Sequence, residues 1–263
     1  MKEIGGYFEL EKFINNEYYK NLIPLNSGRN SLLYLLKVKK IRKLYIPYYL
    51  GNSISNMLDM YGYDFEFYNI SSDFMPIFNK ILNKDEYMYI VNYYGQLDNN
   101  IVIQLKRKYE KIILDNTQAF FQKPVDGVCT IYSCRKFFGV PDGAYLFTDV
   151  KMKNNLKVDI SKDRMIHLLG RYEGTASKYY DDFKNNEKTF MNEPLKFMSR
   201  LTHNILGAID YEKVRKIRNY NYAYLDSKLG VYNKVKLKVP YGAFVYPFYV
   251  KNGVEIRKEL ARK

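Results

Sequence analysis

Lys136 follows the apolar run Cys129-Thr130-Ile131-Tyr132 and Ser133, and two aromatic residues, Phe137 and Phe138, come directly after it. An amine placed beside aromatic side chains after a strand can be desolvated. Desolvation lowers its pKa and favours the neutral form that a Schiff base requires. Ser133 would set a hydroxyl near the same point. The plainer reading is a surface hairpin loop, and Pro141-Asp142-Gly143 is a turn on either reading. Asp115 closes the short apolar strand Lys111-Ile112-Ile113-Leu114. A carboxylate there is costly without a cationic or hydrogen-bonded partner, of which a protonated pyridine nitrogen is one. Capping of the following turn is the alternative. Ser27-Gly28-Arg29-Asn30-Ser31 precedes the apolar helix Leu32 to Leu36. It either offers free backbone N–H groups to an anion or simply caps the helix through Ser27 or Asn26. Asn92-Tyr93-Tyr94-Gly95-Gln96 leads from a strand into a polar loop and on its own reads as a βα turn. His167 and His203 are the only histidines, and Cys129 and Cys134 have no partners at metal spacing, so no metal site is expected.

These residues need a scaffold that brings loops together, and the middle of the chain supplies one. Strand-like segments at 44–47, 65–68, 87–91, 111–114, 129–132 and 144–147 alternate with helical periodicity at 53–61 and 101–109. That rhythm predicts an α/β fold: a mostly parallel sheet covered by helices on both faces, with ligands at the carboxyl ends of the strands. From about residue 159 the pattern changes. Helical periodicity is expected over 159–180 and 194–229, with Gly230 as a stop. Strands are expected at 235–239 and 243–250, and a helix from 254. The implied organisation is a large three-layer domain over residues 1–200, followed by a connecting helix and a small, incomplete α+β part over 201–263.

Composition narrows the class. With 263 residues, 47% of them apolar, the chain can bury a substantial core. No run is long enough to span a bilayer, and Met1 to Gly6 carries no apolar signal core, so a cytoplasmic protein with reduced cysteines is expected. The net charge of +14 is spread along the chain instead of clustered. That argues against a nucleic-acid surface and suits a small anionic substrate.

Taken in order, a phosphate loop, a strand-end loop, Asp with Gln, and Ser-x-x-Lys follow the arrangement of type I pyridoxal-phosphate (PLP) enzymes. The chain resembles the DegT/DnrJ/StrS family of sugar aminotransferases over about residues 5–229. Ser27-Gly28-Arg29-Asn30-Ser31-Leu32 is similar to its S-G-T-x-A-L, Ile46-Pro47-Tyr48-Tyr49 to its V-P-S-Y, and Asn92 to Gln96 to its H-L-Y-G-Q. Asp115-Asn116-Thr117-Gln118-Ala119 is similar to D-A-A-Q-A. Lys136 with Pro141 to Ala144 is similar to the family Lys followed by G-E-G-G. Met198-Ser199, with Arg218 and Tyr224 downstream, is similar to M-S-E-L-Q-A-A and its later Arg and Tyr. The resemblance implies that Lys136 carries the cofactor and shuttles the proton. It puts Asp115 on the pyridine nitrogen, Gln118 near the phenolic oxygen, and Gly28, Arg29 and Ser133 on the phosphate.

It further implies an amino-acid donor, a keto-sugar nucleotide acceptor and a homodimer. The 28 Tyr and 16 Phe are consistent with an aromatic interface. Two other activities stay open: a PLP-dependent sugar dehydratase, although members of that kind have His in place of the Lys, and a non-catalytic or regulatory PLP-binding protein. The chain departs from the family at Gly51, where an aromatic usually stacks on the cofactor, and at Tyr132 to Arg135, where S-F-H is usual. The element that reaches the neighbouring subunit's site is not recognisable before Met198, and the family usually runs past this chain's last residue.

Overall fold

The computed structural model describes residues 6–262. Residues 1–5 of the Met1 to Gly6 segment, where no apolar signal core is expected, and Lys263 lie outside the described residues.

Eight strands form one sheet in the order β1-β8-β7-β6-β5-β2-β3-β4. They are β1 (Ile23–Leu25), β2 (Lys43–Pro47), β3 (Asp64–Ile70), β4 (Pro76–Ile77), β5 (Glu86–Val91), β6 (Ile112–Asp115), β7 (Cys129–Ser133) and β8 (Ala144–Phe147). The five central strands, β3-β2-β5-β6-β7, run parallel. The antiparallel pairings lie towards the edges, where β8 joins β7 and β1, and β4 joins β3. Helices α1 (Gly28–Val38), α2 (Ser53–Met60) and α3 (Asn99–Tyr109) make the parallel crossovers. The expected fold, a mostly parallel sheet in an α/β protein, is what the chain adopts.

The burial pattern explains why the central strands read as unbroken apolar runs. Tyr89 and Val91 of β5 pack into the cluster under α1 and α2, while Met88 and Ile90 pack into the cluster under α3. In β6, Ile113 goes to the first face and Ile112 and Leu114 to the second. A strand buried on both faces has no polar side, so alternation disappears from its composition. At the β7–β8 end the second face is closed by an aromatic cluster that includes Phe120, Phe121, Tyr132, Phe137 and Tyr145.

Beyond β8 the structure differs from expectation in three places. The periodic stretch at 159–180 holds a single turn at Lys162–Arg164 and one helix, α4 (Ile166–Glu173), which stops at Gly174; the next helix, α5 (Tyr180–Thr189), starts only at the end of that stretch. The stretch at 194–229 is α6 (Arg200–Gly207) and α7 (Tyr211–Leu229), each started by its own N-cap: Ser199 accepts from the Thr202 N–H, and Asp210 from the Lys213 N–H. Residues before Ser199 are extended, and Phe197 bridges Leu25 and Val158. Gly230 ends α7 as expected.

The expected strands at 235–239 and 243–250 form no ladder. Several of their backbone groups are met by side chains instead. Gln96 brackets Lys238, Asn219 accepts from the Gly242 and Ala243 N–H groups, and Arg218 donates to the Ala243 and Phe244 carbonyls. An extended segment whose polar groups are met in this way needs no partner strand. The C-terminal part therefore has helices α7 and α8 (Gly253–Leu260) and no sheet of its own among the described residues.

Candidate functional site

Parallel strands end together, and here two neighbouring ones, β6 and β7, end on polar residues that face one helix. Alternation puts Asp115, two residues after Ile113, on the α1 side of β6. It does the same for Ser133, two residues after Ile131 on β7. The α1 N-terminus meets them: a Cβ placed on Gly28 would lie 3.5 Å from Thr117 Cγ2 and 3.7 Å from Ile131 Cγ2. A cleft of about 590 Å³ opens at this point. All six residues expected to hold the cofactor, Gly28, Arg29, Asp115, Gln118, Ser133 and Lys136, line it.

At one wall stands Asp115, 5% exposed. Its Oδ2 accepts from the Tyr89 hydroxyl at 2.6 Å, and its Oδ1 from the Thr117 N–H at 2.8 Å. No cationic side chain among the described residues pairs with it. Burial, then the charge and hydrogen bond of Asp115, push the Tyr89 phenol well above its usual pKa, so Tyr89 is a donor at neutral pH. Gln118 accepts from the Tyr94 N–H at 3.0 Å. That bond fixes the amide and leaves its NH₂ without a protein partner among the described residues. Tyr94 itself adopts the left-handed region, φ 56°, to make the turn. Next to it Gly95 has φ +73°, and a Cβ there would sit 2.9 Å from Pro240 Cβ, so the loop and the C-terminal segment close on each other only because this residue is Gly.

The opposite wall is basic. Ser27 caps α1 through the Asn30 N–H at 3.1 Å, and Ser31 begins the intrahelical bonds, which leaves the Gly28 and Arg29 N–H groups without protein partners among the described residues. The cap and the anion site are thus compatible. Buried Asn26 and Asn30 hold this turn: Asn30 donates to Asn26 Oδ1 at 2.9 Å and to the Pro194 carbonyl at 3.0 Å. The Arg29 guanidinium donates to the Phe190 carbonyl, and burial lowers its pKa against the opposing effect of Glu187. Arg135 pairs with Glu187 and lies 4.2 Å from the centroid of the Phe190 ring.

Lys136 projects into the cleft and donates to Thr117 Oγ1 at 3.0 Å. The desolvation expected from its aromatic neighbours is not found. The N–H groups of Phe137 and Phe138 both bond to the Cys134 carbonyl, and this tight turn sends the two rings into the core while Lys136 stays exposed. Nor is the Pro141-Asp142-Gly143 turn a surface loop. Asp142 is fully buried and accepts from the Ser199 N–H at 2.9 Å, the Ser199 hydroxyl at 2.7 Å and the Thr202 hydroxyl. Arg218 ties this region to the C-terminal segment, donating to the Phe137 carbonyl at 2.9 Å as well as to Ala243 and Phe244.

Of the Asn92 to Gln96 segment, Asn92 is structural. It donates to Asn116 Oδ1 at 3.0 Å and accepts from the Leu97 N–H at 2.8 Å. Tyr48, Tyr49 and Gly51 all line the cleft, and the Tyr49 hydroxyl lies 3.1 Å from that of Tyr94. His167 and His203 lie on α4 and α6, and His203 Nδ1 meets Glu17 at 2.7 Å. Sequence reasoning missed Tyr89, Thr117, Arg135 and Glu187. Tyr89 stands on β5 and reaches Asp115 across the β5–β6 pairing, which the sequence around Asp115 does not signal, whereas Thr117 lay inside a segment already singled out.

Among the described residues, no three His, Cys, Asp or Glu side chains form a metal-sized group, and no helix is long and apolar enough to cross a membrane. No family model matches the sequence, and no curated protein matches it. Solved structures do. The chain is similar to NtdA from Bacillus subtilis with bound cofactor PMP, at TM-score 0.61 and 14% identity, covering 94% of this chain and 58% of that one. It is also similar to a DegT DnrJ EryC1 StrS aminotransferase from Brucella abortus, at TM-score 0.53 and 12% identity, covering 92% and 68%. A third is S. venezuelae DesV in complex with a ketimine intermediate, at TM-score 0.55 and 15% identity, covering 91% and 67%. The chain thus spans less than two thirds of the length of NtdA. At such identities the likeness speaks for the fold alone: the mostly parallel α/β sheet is the fold type I large-domain fold that these solved structures share.

Proposed function

We propose that the cleft binds pyridoxal phosphate and that the chain is an aminotransferase moving an amino group from an amino acid to a keto-sugar nucleotide. One observation carries the reading: a buried carboxylate, Asp115, with no cationic partner among the described residues, shares a cleft with the free amine of Lys136. A buried carboxylate held by hydrogen bonds alone lacks a cationic partner, and a protonated pyridine nitrogen would supply one. The cleft volume suits a ligand of cofactor size plus part of a substrate.

In this reading Asp115 would keep the ring nitrogen protonated, while Tyr89 and Thr117 hold Asp115 in place. The Gln118 NH₂ would bind the phenolic oxygen. The Gly28 and Arg29 N–H groups and the Ser133 hydroxyl take the phosphate. Bound there, the cofactor supplies an aldehyde and an electron-withdrawing ring. Lys136 Nζ would hold the cofactor by its aldehyde and would serve as the base that moves the proton at the donor's amine-bearing carbon. Thr117 Oγ1 orients that amine. The reading divides the chain into a cofactor domain, residues 1–200, and a connecting helix with part of a small domain, residues 201–263. It also makes the active unit a homodimer.

Supplying cofactor and glutamate, then assaying for the 2-oxo acid and the amine form of the cofactor, tests the activity. Lys136→Ala should abolish both products. The exposure of Lys136 favours a second reading, a protein that binds the cofactor without turning over. In that case the cofactor binds and no donor changes its spectrum.

A further inference from the structure

The basic wall of the cleft contains a counter-ion that belongs to the protein itself. Arg29 has no carboxylate partner among the described residues, and its Nε is buried without a hydrogen-bond acceptor. Arg135 has one, Glu187, which α5 brings in from outside the sheet. Phe190 joins the two arginines: its carbonyl accepts from Arg29 and its ring lies under Arg135. These four side chains line the same cleft as Gly28 and Ser133, so the anion end of the site holds two guanidinium groups and one carboxylate.

We propose that Arg135 and Glu187 form an exchangeable pair: a phosphate monoester entering the cleft takes Arg135 from Glu187. This deepens the cofactor reading and rests on it for the identity of the phosphate. Three features favour exchange over a fixed bridge. Glu187 is half exposed, at 49%, while Arg135 is at 18%, so the carboxylate can return to water while the guanidinium stays. A surface carboxylate held by one contact gives up little on leaving. A phosphate dianion offers the planar guanidinium two acceptor oxygens and twice the charge. The phosphate would then be held by an arginine of the same chain that lies directly before Lys136. The stacking of Arg135 on Phe190 keeps its fork oriented during the exchange. No bond is made or broken in the process beyond hydrogen bonds and ion pairing.

The test compares wild type, Arg135→Gln and Glu187→Gln of the full chain. Each is titrated with pyridoxal phosphate, with pyridoxal, which lacks the phosphate, and with inorganic phosphate. Arg135→Gln should weaken pyridoxal phosphate and inorganic phosphate about tenfold or more, the size of a lost charge-assisted contact, and leave pyridoxal unchanged. Glu187→Gln removes the competitor and should tighten both phosphate ligands about two- to fivefold. Equal losses for pyridoxal and pyridoxal phosphate in Arg135→Gln would overturn the inference. So would weaker phosphate binding in Glu187→Gln, or no binding of inorganic phosphate to wild type. If inorganic phosphate follows the expected pattern while pyridoxal phosphate forms no reducible bond to Lys136, the exchange stands and the cofactor reading falls. If the bond forms with equal affinity in all three proteins, the exchange falls and the cofactor reading stands.

Discussion

Replacing Tyr89 by Phe removes one oxygen atom from the interior and leaves the packing intact. The side chain is 1% exposed, and Phe keeps the ring, so no cavity opens. What disappears is the 2.6 Å hydrogen bond to Asp115 Oδ2, leaving the carboxylate with the Thr117 N–H on its other oxygen. Hydrogen bonds to charged groups contribute about 1.5–3 kcal/mol, so the unfolding free energy should fall by about that amount. In a chain of this size each kcal/mol moves the melting temperature by about 2–4 °C, which gives a drop of about 3–12 °C. Urea titration measures the first quantity and calorimetry the second. Tyr89→Phe alone cannot tell a lost bond from a general disturbance, so the assay is a double-mutant cycle with Asp115→Asn. The two changes should couple by at least about 1 kcal/mol, because both act on one contact. Additive effects, or an unchanged melting temperature in Tyr89→Phe, would refute the argument that Tyr89 holds Asp115.

Asp142→Ala strands two hydroxyls and one N–H in the core and should cost at least about 3 kcal/mol in urea denaturation. Asp159 gives an acid-side prediction. Burial pushes its pKa up, but hydrogen bonds and charge from Arg164 and Lys196 outweigh that and hold it below the usual value. The resulting stability is present above about pH 4 and lost as the pH falls through the lowered folded value, so Asp159→Asn should flatten the acid limb of the stability curve. On the alkaline side, burial holds the phenols of Tyr19, Tyr68 and Tyr89 well above the usual value and pushes Tyr222 up to about 12. Stability should be full below about pH 10 and fall as the pH rises through those folded values. The folded protein should also show fewer tyrosinates at about pH 11 than the unfolded chain when titrated by ultraviolet absorbance.

Six of the eight strands were legible because they are short apolar runs separated by turns, and two-sided burial erased alternation from the central ones such as β5 and β6; β1 and β4, three and two residues long, are too short to leave a pattern. Asp115 and Ser133 stood out as candidates for a related reason, since each marks the point where an apolar run stops, and Lys136 stood out as the amine three residues beyond Ser133. The direction of the Lys136 side chain was not legible. It depends on a turn closed by two N–H groups on the Cys134 carbonyl, and residue types around Lys136 do not encode which way consecutive side chains leave such a turn. Tyr89 was hidden because its contact with Asp115 depends on the register between β5 and β6, where Val91 stands opposite Asp115. The apparent strands at 235–239 and 243–250 have strand-like composition, yet their hydrogen bonds go to Gln96, Asn219 and Arg218, residues far away in sequence. Glu187 gave no signal, since an acidic residue on a polar helix reads as solvated.

The central claim is that Lys136 and Asp115 share a cleft built for pyridoxal phosphate, and one measurement addresses it directly. The protein is incubated with pyridoxal phosphate, reduced with borohydride, digested and mapped by mass spectrometry, with Asp115→Ala treated in parallel. A single pyridoxyl adduct on the Lys136 peptide is expected, with weaker loading in Asp115→Ala. Adducts scattered over surface lysines, with Lys136 unmodified or Asp115→Ala loading as well as wild type, would contradict the account.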